Sequence, residues 1–210
     1  MTSKSVFIAT PTYDEWLAKE HCTSLFETGI LLSQAGYSVS YAVLSGNPFL
    51  DLARNELVDK FMASDADDLL FIDADVGWDA KAVTRVLSHR QEIVGGLVPK
   101  RDATSDSSFH QNALTGVMQD GLMEAKEIPT AFLKINRAVF EKLEKPYFKI
   151  GDNAKDFGED IYFCRKAEKA GFSMWIDSDI TFSHRGGKAW RGNFFDHCVK
   201  SGLLQTEKAA

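Results

Sequence analysis

The sequence is short of paired cysteines, long apolar runs and positive charge, and each shortage excludes a class of protein. Its three cysteines, Cys22, Cys164 and Cys198, are far apart and odd in number. They match neither the spacing of a zinc site nor a disulfide framework, so a reducing, cytoplasmic compartment is expected. No stretch approaches the roughly 20 apolar residues that cross a bilayer. The apolar run near the N-terminus, Val6 to Ala9, is broken at Thr10 and is too short for the hydrophobic region of a signal peptide. Basic residues are outnumbered, with 24 Lys and Arg against 30 Asp and Glu and a formal net charge of -6. That balance disfavours broad electrostatic binding to nucleic acid or to an anionic membrane. Repeats and low-complexity tracts are also missing.

What is present is ordinary for a globular chain: 44% hydrophobic, 11% aromatic and 26% charged residues over a length of 210. That length suits one unit with a sizeable core. We therefore expect a single domain over 1–204 and a frayed tail at 205–210.

Hydrophobic patterning gives the order of elements. Ser5 to Ala9 reads as a buried strand that ends at Pro11. Asp14 is placed as the cap of a helix over Glu15 to Ala35, with Leu17, Leu25, Ile30 and Leu32 as its apolar rhythm and Gly36 as its stop. Tyr37 to Leu44 is strand-like, and Asp51 can cap a helix whose stripe is Leu57, Val58, Phe61 and Met62. Leu69 to Ile72 is a second buried strand, running straight into Asp73-Ala74-Asp75. Asp79 can cap a helix bearing Val83, Val86 and Leu87, and Ile93 to Val98 follows as a strand. This alternation predicts an α/β fold with a mostly parallel sheet flanked by helices and ligands at the carboxyl ends of the strands.

The second half is less regular. Lys100 to Asn112 is polar and reads as a loop, and Ala113 to Glu127 as a hairpin around Asp120-Gly121. Thr130 to Ile135 is a strand leading into a helix capped by Asn136. Glu159 to Ala170 is helical in pattern, and Phe172 to Ile176 and Ile180 to Phe182 are strands.

The sharpest chemical feature is Asp73-Ala74-Asp75 at the end of an apolar strand. Two carboxylates there leave the sheet together and meet at a cleft, where oxygen ligands suit Mg²⁺ or Mn²⁺ and the ion can neutralise a diphosphate. The plainer alternative is that Asp75, Val76 and Gly77 form a solvated turn after the strand. Glu159 and Asp160 open a helix, where acids also simply complement the macrodipole. Their second reading is catalytic, because a carboxylate can take a proton from a hydroxyl or stabilise positive charge that develops in a reaction. His184 is either a ligand or a structural histidine beside a strand. Lys100 and Arg101 can donate to a diphosphate or lie in solvent. Arg185, Lys188 and Arg191 surround the glycines Gly186, Gly187 and Gly192, a second basic turn. Trp78 and Trp190 suit sugar stacking or packing.

The combination resembles the GT-A class of nucleotide-sugar-dependent glycosyltransferases, in particular small bacterial and viral members with a DxD motif. Four stretches, spread over about residues 5 to 187, carry the resemblance. They are Ala9-Thr10-Pro11-Thr12-Tyr13-Asp14 after the first strand, Ala53-Arg54-Asn55, Phe71-Ile72-Asp73-Ala74-Asp75, and Gly158-Glu159-Asp160 with Trp175-Ile176-Asp177 and Ser183-His184-Arg185-Gly186 behind it. The resemblance implies a Rossmann-like GT-A fold and transfer of a hexose from a nucleoside diphosphate sugar, with UDP the commonest base, to an acceptor hydroxyl. It places Thr10, Pro11, Thr12, Tyr13, Arg54, Asp73, Ala74 and Lys100 around the donor. It places Asp75, His184 and Asp73 around Mn²⁺ or Mg²⁺, and Asp160 with Glu159 at the reacting centre. Thr130-Ala131-Phe132 departs from the glycine many relatives carry there, and the Gln-x-x-Arg-Trp motif of processive synthases is missing, which argues against a polymer-making synthase. The acceptor stays open among a glycan, a lipid-linked sugar, a protein and a modified nucleobase.

Two rival readings use the same residues. Leu69 to Val76 also resembles the strand and DxD of haloacid-dehalogenase-type phosphatases, with Asp73 as nucleophile, Asp75 as acid/base and Ile150 to Asp156 as a later metal loop. About seventy residues stand before the motif, where that family usually starts near it, and Gly77-Trp78 replaces its expected threonine. The other rival is a non-catalytic nucleotide-sugar-binding protein on the same fold.

Overall fold

In β1 (Ser5–Pro11), Val6 and Ile8 pack into one hydrophobic core while Phe7 and Ala9 pack into another. The same alternation recurs in β3 (Asp68–Ile72), where Leu69 and Phe71 join Phe7 and Ala9 in one core, and Leu70 and Ile72 join Val6 and Ile8 in the other. A strand that buries both faces needs layers on both sides, as in parallel α/β sheets. The computed structural model describes residues 4–101, 109, 114–151, 158–186 and 189–204.

Helix α1 (Lys19–Gln34) links β1 to β2 (Ser38–Leu44), and α2 (Leu50–Met62) links β2 to β3. These three strands pair in parallel with β1 in the middle. A tight turn then gives β4 (Val76–Trp78), followed by α3 (Ala80–Ser88) and β5 (Ile93–Gly95). The hairpin of β6 (Leu114–Gln119) and β7 (Leu122–Ala125) precedes β8 (Phe132–Asn136) and α4 (Arg137–Lys142). The chain continues through α5 (Glu159–Lys169), β9 (Met174–Asp177), β10 (Thr181–Arg185), β11 (Ala189–Asn193) and α6 (Phe194–Lys200). The main sheet has eight strands in the order β2-β1-β3-β8-β5-β9-β7-β6, and β8 and β7 run against the rest. A second sheet of three strands, β11-β10-β4, stands beside it.

Side chains of α2, α4, α5 and α6 fill the core on one face of the main sheet, and those of α1 and α3 fill the other. The expected α/β architecture is therefore present, with more antiparallel pairing in its second half than the alternation of the first half suggests. Asp120 and Gly121 have φ of 52° and 78° and close the β6–β7 hairpin, as the left-handed turn of a two-residue hairpin requires. No helix among the described residues is long and apolar enough to cross a membrane.

Several boundaries differ from the sequence reading. Helix α1 starts at Lys19, with Ala18 rather than Asp14 before its first turn, and Glu15 takes φ of 60°. Its buried face is His21, Ser24, Thr28 and Leu32, with Leu25 packed beside them, while Ile30 is exposed and Leu17 precedes the helix. Polar contacts complete the face that Leu25 and Leu32 begin: Ser24 Oγ accepts from Trp78 N at 3.0 Å, and Trp78 Nε1 donates to Thr28 Oγ1 at 2.9 Å. Phe49, not Asp51, precedes α2. The strand expected over Ile93 to Val98 stops at Gly95. A Cβ at Gly95 would sit 2.5 Å from the Phe132 carbonyl oxygen, and one at Gly96 the same distance from the Phe182 ring. The glycines thus let β5 and its exit pass close to their neighbours. Most of the Lys100 to Asn112 loop, most of the Ile150 to Asp156 loop, Gly187, Lys188 and the 205–210 tail lie outside the described residues, as does the Trp190 side chain.

Candidate active site

The chain leaves β3 at Ile72 and turns at once. Asp73 N donates to the Ala131 carbonyl at 3.1 Å, and Val76 N donates to the Asp73 carbonyl at 3.1 Å. Asp73-Ala74-Asp75 is thus a hydrogen-bonded turn between β3 and β4. It is pinned from both sides, by Ala18 N on the Ala74 carbonyl at 2.9 Å and by Arg185 N on the Asp75 carbonyl at 2.8 Å. The two aspartates therefore point to different partners from a rigid base.

Asp73 faces Arg54. The Arg54 side chain is buried, donating from Nη2 to Asp73 Oδ1 at 3.0 Å and from Nε to Glu159 Oε1 at 3.1 Å, with its guanidinium 5.1 Å from the centre of the Phe71 ring. Burial disfavours the charged guanidinium, but Asp73 and Glu159 more than offset that and raise its pKa above the ordinary value. Its Nη1 is buried without a protein hydrogen-bond partner, and a buried donor of this kind can serve a water or a ligand. The neighbouring residue of the same motif is structural: Asn55 Oδ1 accepts from Tyr147 N at 2.9 Å, and its Nδ2 donates to the Phe148 carbonyl at 2.7 Å.

Glu159 and Asp160 are the first two residues of α5. Asp160 is half-buried; burial pushes its carboxyl above the usual range, and the backbone N–H of Ile161 (2.8 Å) and the charge of Arg54 pull it back only in part. A Cβ at Gly158 would lie 2.9 Å from Asp160 Oδ1, so the glycine leaves this carboxylate its space.

Asp75 faces His184, which stands opposite Val76 in the β10–β4 pairing. His184 Nδ1 donates to the Pro99 carbonyl at 2.7 Å, since a carbonyl only accepts. Its Nε2 accepts from Arg101 Nε at 3.0 Å. The same Nε2 lies 3.5 Å from Asp75 Oδ1. Fixing one ring nitrogen on a backbone carbonyl is how proteins orient a metal-ligating histidine. The Arg101 guanidinium also donates to Asp75 Oδ2. Burial raises the Asp75 carboxyl, but His184 and Arg101 beside it more than offset that and hold it below the usual carboxylate range.

No group of three metal-ligating side chains converges among the described residues. Asp75 and His184 supply one carboxylate and one imidazole, a set that fits Mn²⁺ or Mg²⁺ when phosphate oxygens and water complete the shell. Asp73 is turned toward Arg54.

A cleft of about 730 Å³ opens at this end of the sheet, walled by Pro11, Thr12, Tyr13, the Asp73-Ala74-Asp75 turn, Arg101 and Arg185. Tyr13 is 68% exposed at its rim. Thr12 Oγ1 donates to the Trp16 carbonyl at 3.0 Å and shapes the β1 exit loop. Thr10 lies behind the wall, fully buried, with its hydroxyl accepting from Tyr41 at 3.3 Å. Arg101 rather than Lys100 lines the cleft among the described residues. Trp78 is buried and serves packing. Asp177 is likewise away from the cleft, its carboxylate held by Arg85 at 2.5 Å and His89 at 2.8 Å.

One contributor escaped the sequence reading. His21, fully buried on α1, contacts the Asp73 carbonyl through Nδ1 at 3.1 Å and lies edge-on to the Trp78 ring. Burial lowers its pKa despite the nearby acids, which keeps a neutral ring beneath the turn. Only its place with Ser24 and Thr28 on one helical face marks it in the sequence.

No protein-family model and no curated protein matches the sequence. Solved structures do resemble the fold. The A197 protein from STIV superposes with a TM-score of 0.59 at 20% identity, covering 87% of this chain and 86% of that one. Residues 1–349 of TarS from S. aureus, in complex with UDP-GlcNAc, superpose with a TM-score of 0.51 at 13% identity. That match covers 82% of this chain and 55% of the TarS fragment, so this chain spans about half its length. The chain has the mixed α/β architecture of the GT-A-like nucleotide-diphospho-sugar transferases.

Proposed function

We propose that this protein is a glycosyltransferase that binds a nucleoside diphosphate sugar in the cleft beside the Asp73-Ala74-Asp75 turn and passes its hexose to an acceptor hydroxyl. The observation that carries the reading is the convergence of the Asp75 carboxylate and the fixed Nε2 of His184 at the carboxyl ends of β1 and β3. Ligands bind at that edge of an α/β sheet, and the superposed TarS fragment holds UDP-GlcNAc. Mn²⁺ or Mg²⁺ at Asp75 and His184 would neutralise charge on the departing diphosphate.

This chain's own residues account for the rest. Tyr13 offers an aromatic face to the base at the rim of the cleft. Arg54 presents an unused buried N–H toward the donor side of Asp73. Asp160, with a carboxyl raised by burial, is the candidate for accepting the acceptor proton. In an inverting transfer the acceptor oxygen bonds to the anomeric carbon, the bond from that carbon to the diphosphate oxygen breaks with its electron pair leaving on the diphosphate, and the acceptor proton passes to Asp160. In a retaining transfer Asp160 would instead stabilise the positive sugar. UDP is proposed as the donor nucleotide.

Calorimetric titration of UDP and GDP, with and without Mn²⁺, tests the reading when run beside Asp75→Ala. UDP binding that needs both Mn²⁺ and Asp75 supports it. Unchanged UDP affinity in folded Asp75→Ala protein would remove Asp75 from the metal site, and phosphate-ester hydrolysis without nucleotide binding would favour the phosphatase reading.

A further inference from the structure

Arg101 bridges the two groups that would hold the proposed metal. Its Nη2 donates to Asp75 Oδ2 and its Nε to His184 Nε2 at 3.0 Å, so one guanidinium uses both groups that would ligate a cation. The arrangement is chemically coherent. The half-buried Asp75 carboxylate and the imidazole fixed by Pro99 share one guanidinium, whose planar fork reaches both and brings a positive charge. Arg101 is itself 48% exposed at its side chain. It belongs to neither β4 nor β10, whose pairing sets His184 opposite Val76, the neighbour of Asp75.

We propose that Arg101 is an exchangeable internal cation: it occupies the Asp75–His184 pair until Mn²⁺ arrives with the nucleotide, then moves onto the diphosphate. The inference rests on the metal-dependent transferase reading above and adds a regulatory consequence. Metal and Arg101 compete for the same lone pairs, so metal alone binds weakly. Donor phosphate removes the competition by giving the guanidinium a better, bidentate partner. Metal and nucleotide thereby bind with positive coupling, each favouring the other equally.

The test measures Mn²⁺ binding by electron paramagnetic resonance in wild type, Arg101→Met and Asp75→Asn, with and without UDP. Exchange predicts that Arg101→Met binds Mn²⁺ about fivefold tighter without nucleotide, the scale on which a half-exposed ion pair competes. It also predicts that the variant binds UDP more weakly at saturating Mn²⁺ and loses the coupling. Unchanged Mn²⁺ affinity in Arg101→Met, with binding lost in Asp75→Asn, overturns the exchange and leaves the metal site standing. UDP binding that ignores Mn²⁺ but requires Arg101 overturns both, and makes the arginine a permanent replacement for the metal.

Discussion

Arg54 and Glu159 are 105 residues apart in sequence and share a buried hydrogen bond of 3.1 Å. With Asp73 on the second arm of the guanidinium, they tie α2, the end of β3 and the start of α5 into one charged node beneath the cleft. Such a node costs desolvation on every member, so removing one partner leaves the others uncompensated. Arg54→Met is expected to destabilise the fold by about 3–5 kcal/mol, read from urea unfolding. The double change Arg54→Met with Glu159→Leu should recover much of that, because the stranded buried carboxylate is gone. Wild-type stability in the single variant would show that the node contributes nothing net.

This node also shows how far the sequence could be read. Asp73, Asp75 and the helix-opening pair Glu159-Asp160 were legible because strand ends and helix starts are local signals. The pairing of Arg54 with both acids was not, since it depends on how three distant segments pack. His21 was hidden for a related reason: α1 buries His21, Ser24 and Thr28 against polar groups of β4 and the turn, and an apolar template finds Leu25 and Leu32 on that face but not the polar residues between them. The hairpin around Asp120-Gly121 was legible because a two-residue turn with positive φ carries its own chemistry. The β10–β4 pairing gave no comparable signal, although it brings His184 to Asp75.

Asp160→Asn should spare Mn²⁺-dependent UDP binding and lower transfer by about 10²–10⁴-fold, the usual worth of a positioned base. The pH profile carries a second readout. Burial raises the Asp160 carboxyl, and the base must be ionised, so wild-type transfer should fall on the acid side with a midpoint above the ordinary carboxylate value of 3.8. The residual activity of the variant should lack that limb. An unaltered profile would assign the limb, and the base, to another group.

Asp177 makes an opposite prediction about stability. Its side chain is fully buried, and although burial raises the carboxyl, Arg85 and His89 more than offset that and hold it below 3.8. The stabilisation is therefore present above the unfolded value and lost as pH falls through the folded one. Asp177→Asn should cost about 1–3 kcal/mol at neutral pH and flatten the loss of stability below pH 3.8. Cleft binding should be unchanged. Weakened UDP affinity in a folded variant would bring Asp177 into the site.

Gly77 tests whether the second sheet sets the metal geometry. A Cβ there would lie 2.5 Å from Ser183 Oγ and 2.7 Å from Glu20 Cβ. The Ser183 hydroxyl can rotate away, but Glu20 Cβ is fixed to the backbone of α1, so β4 itself must shift. That strand begins one residue after Asp75 and pairs with β10 at His184. Gly77→Ala is expected to destabilise by about 1–3 kcal/mol through overpacking and, by displacing Asp75 relative to His184, to weaken Mn²⁺ binding as well. Ser183→Gly in the same background should restore little, because the contact that cannot relax is with the helix. Thermal unfolding and Mn²⁺ titration on both proteins decide the matter: a destabilised variant with undiminished Mn²⁺ affinity would mean that the turn, not the strand behind it, holds Asp75 in place.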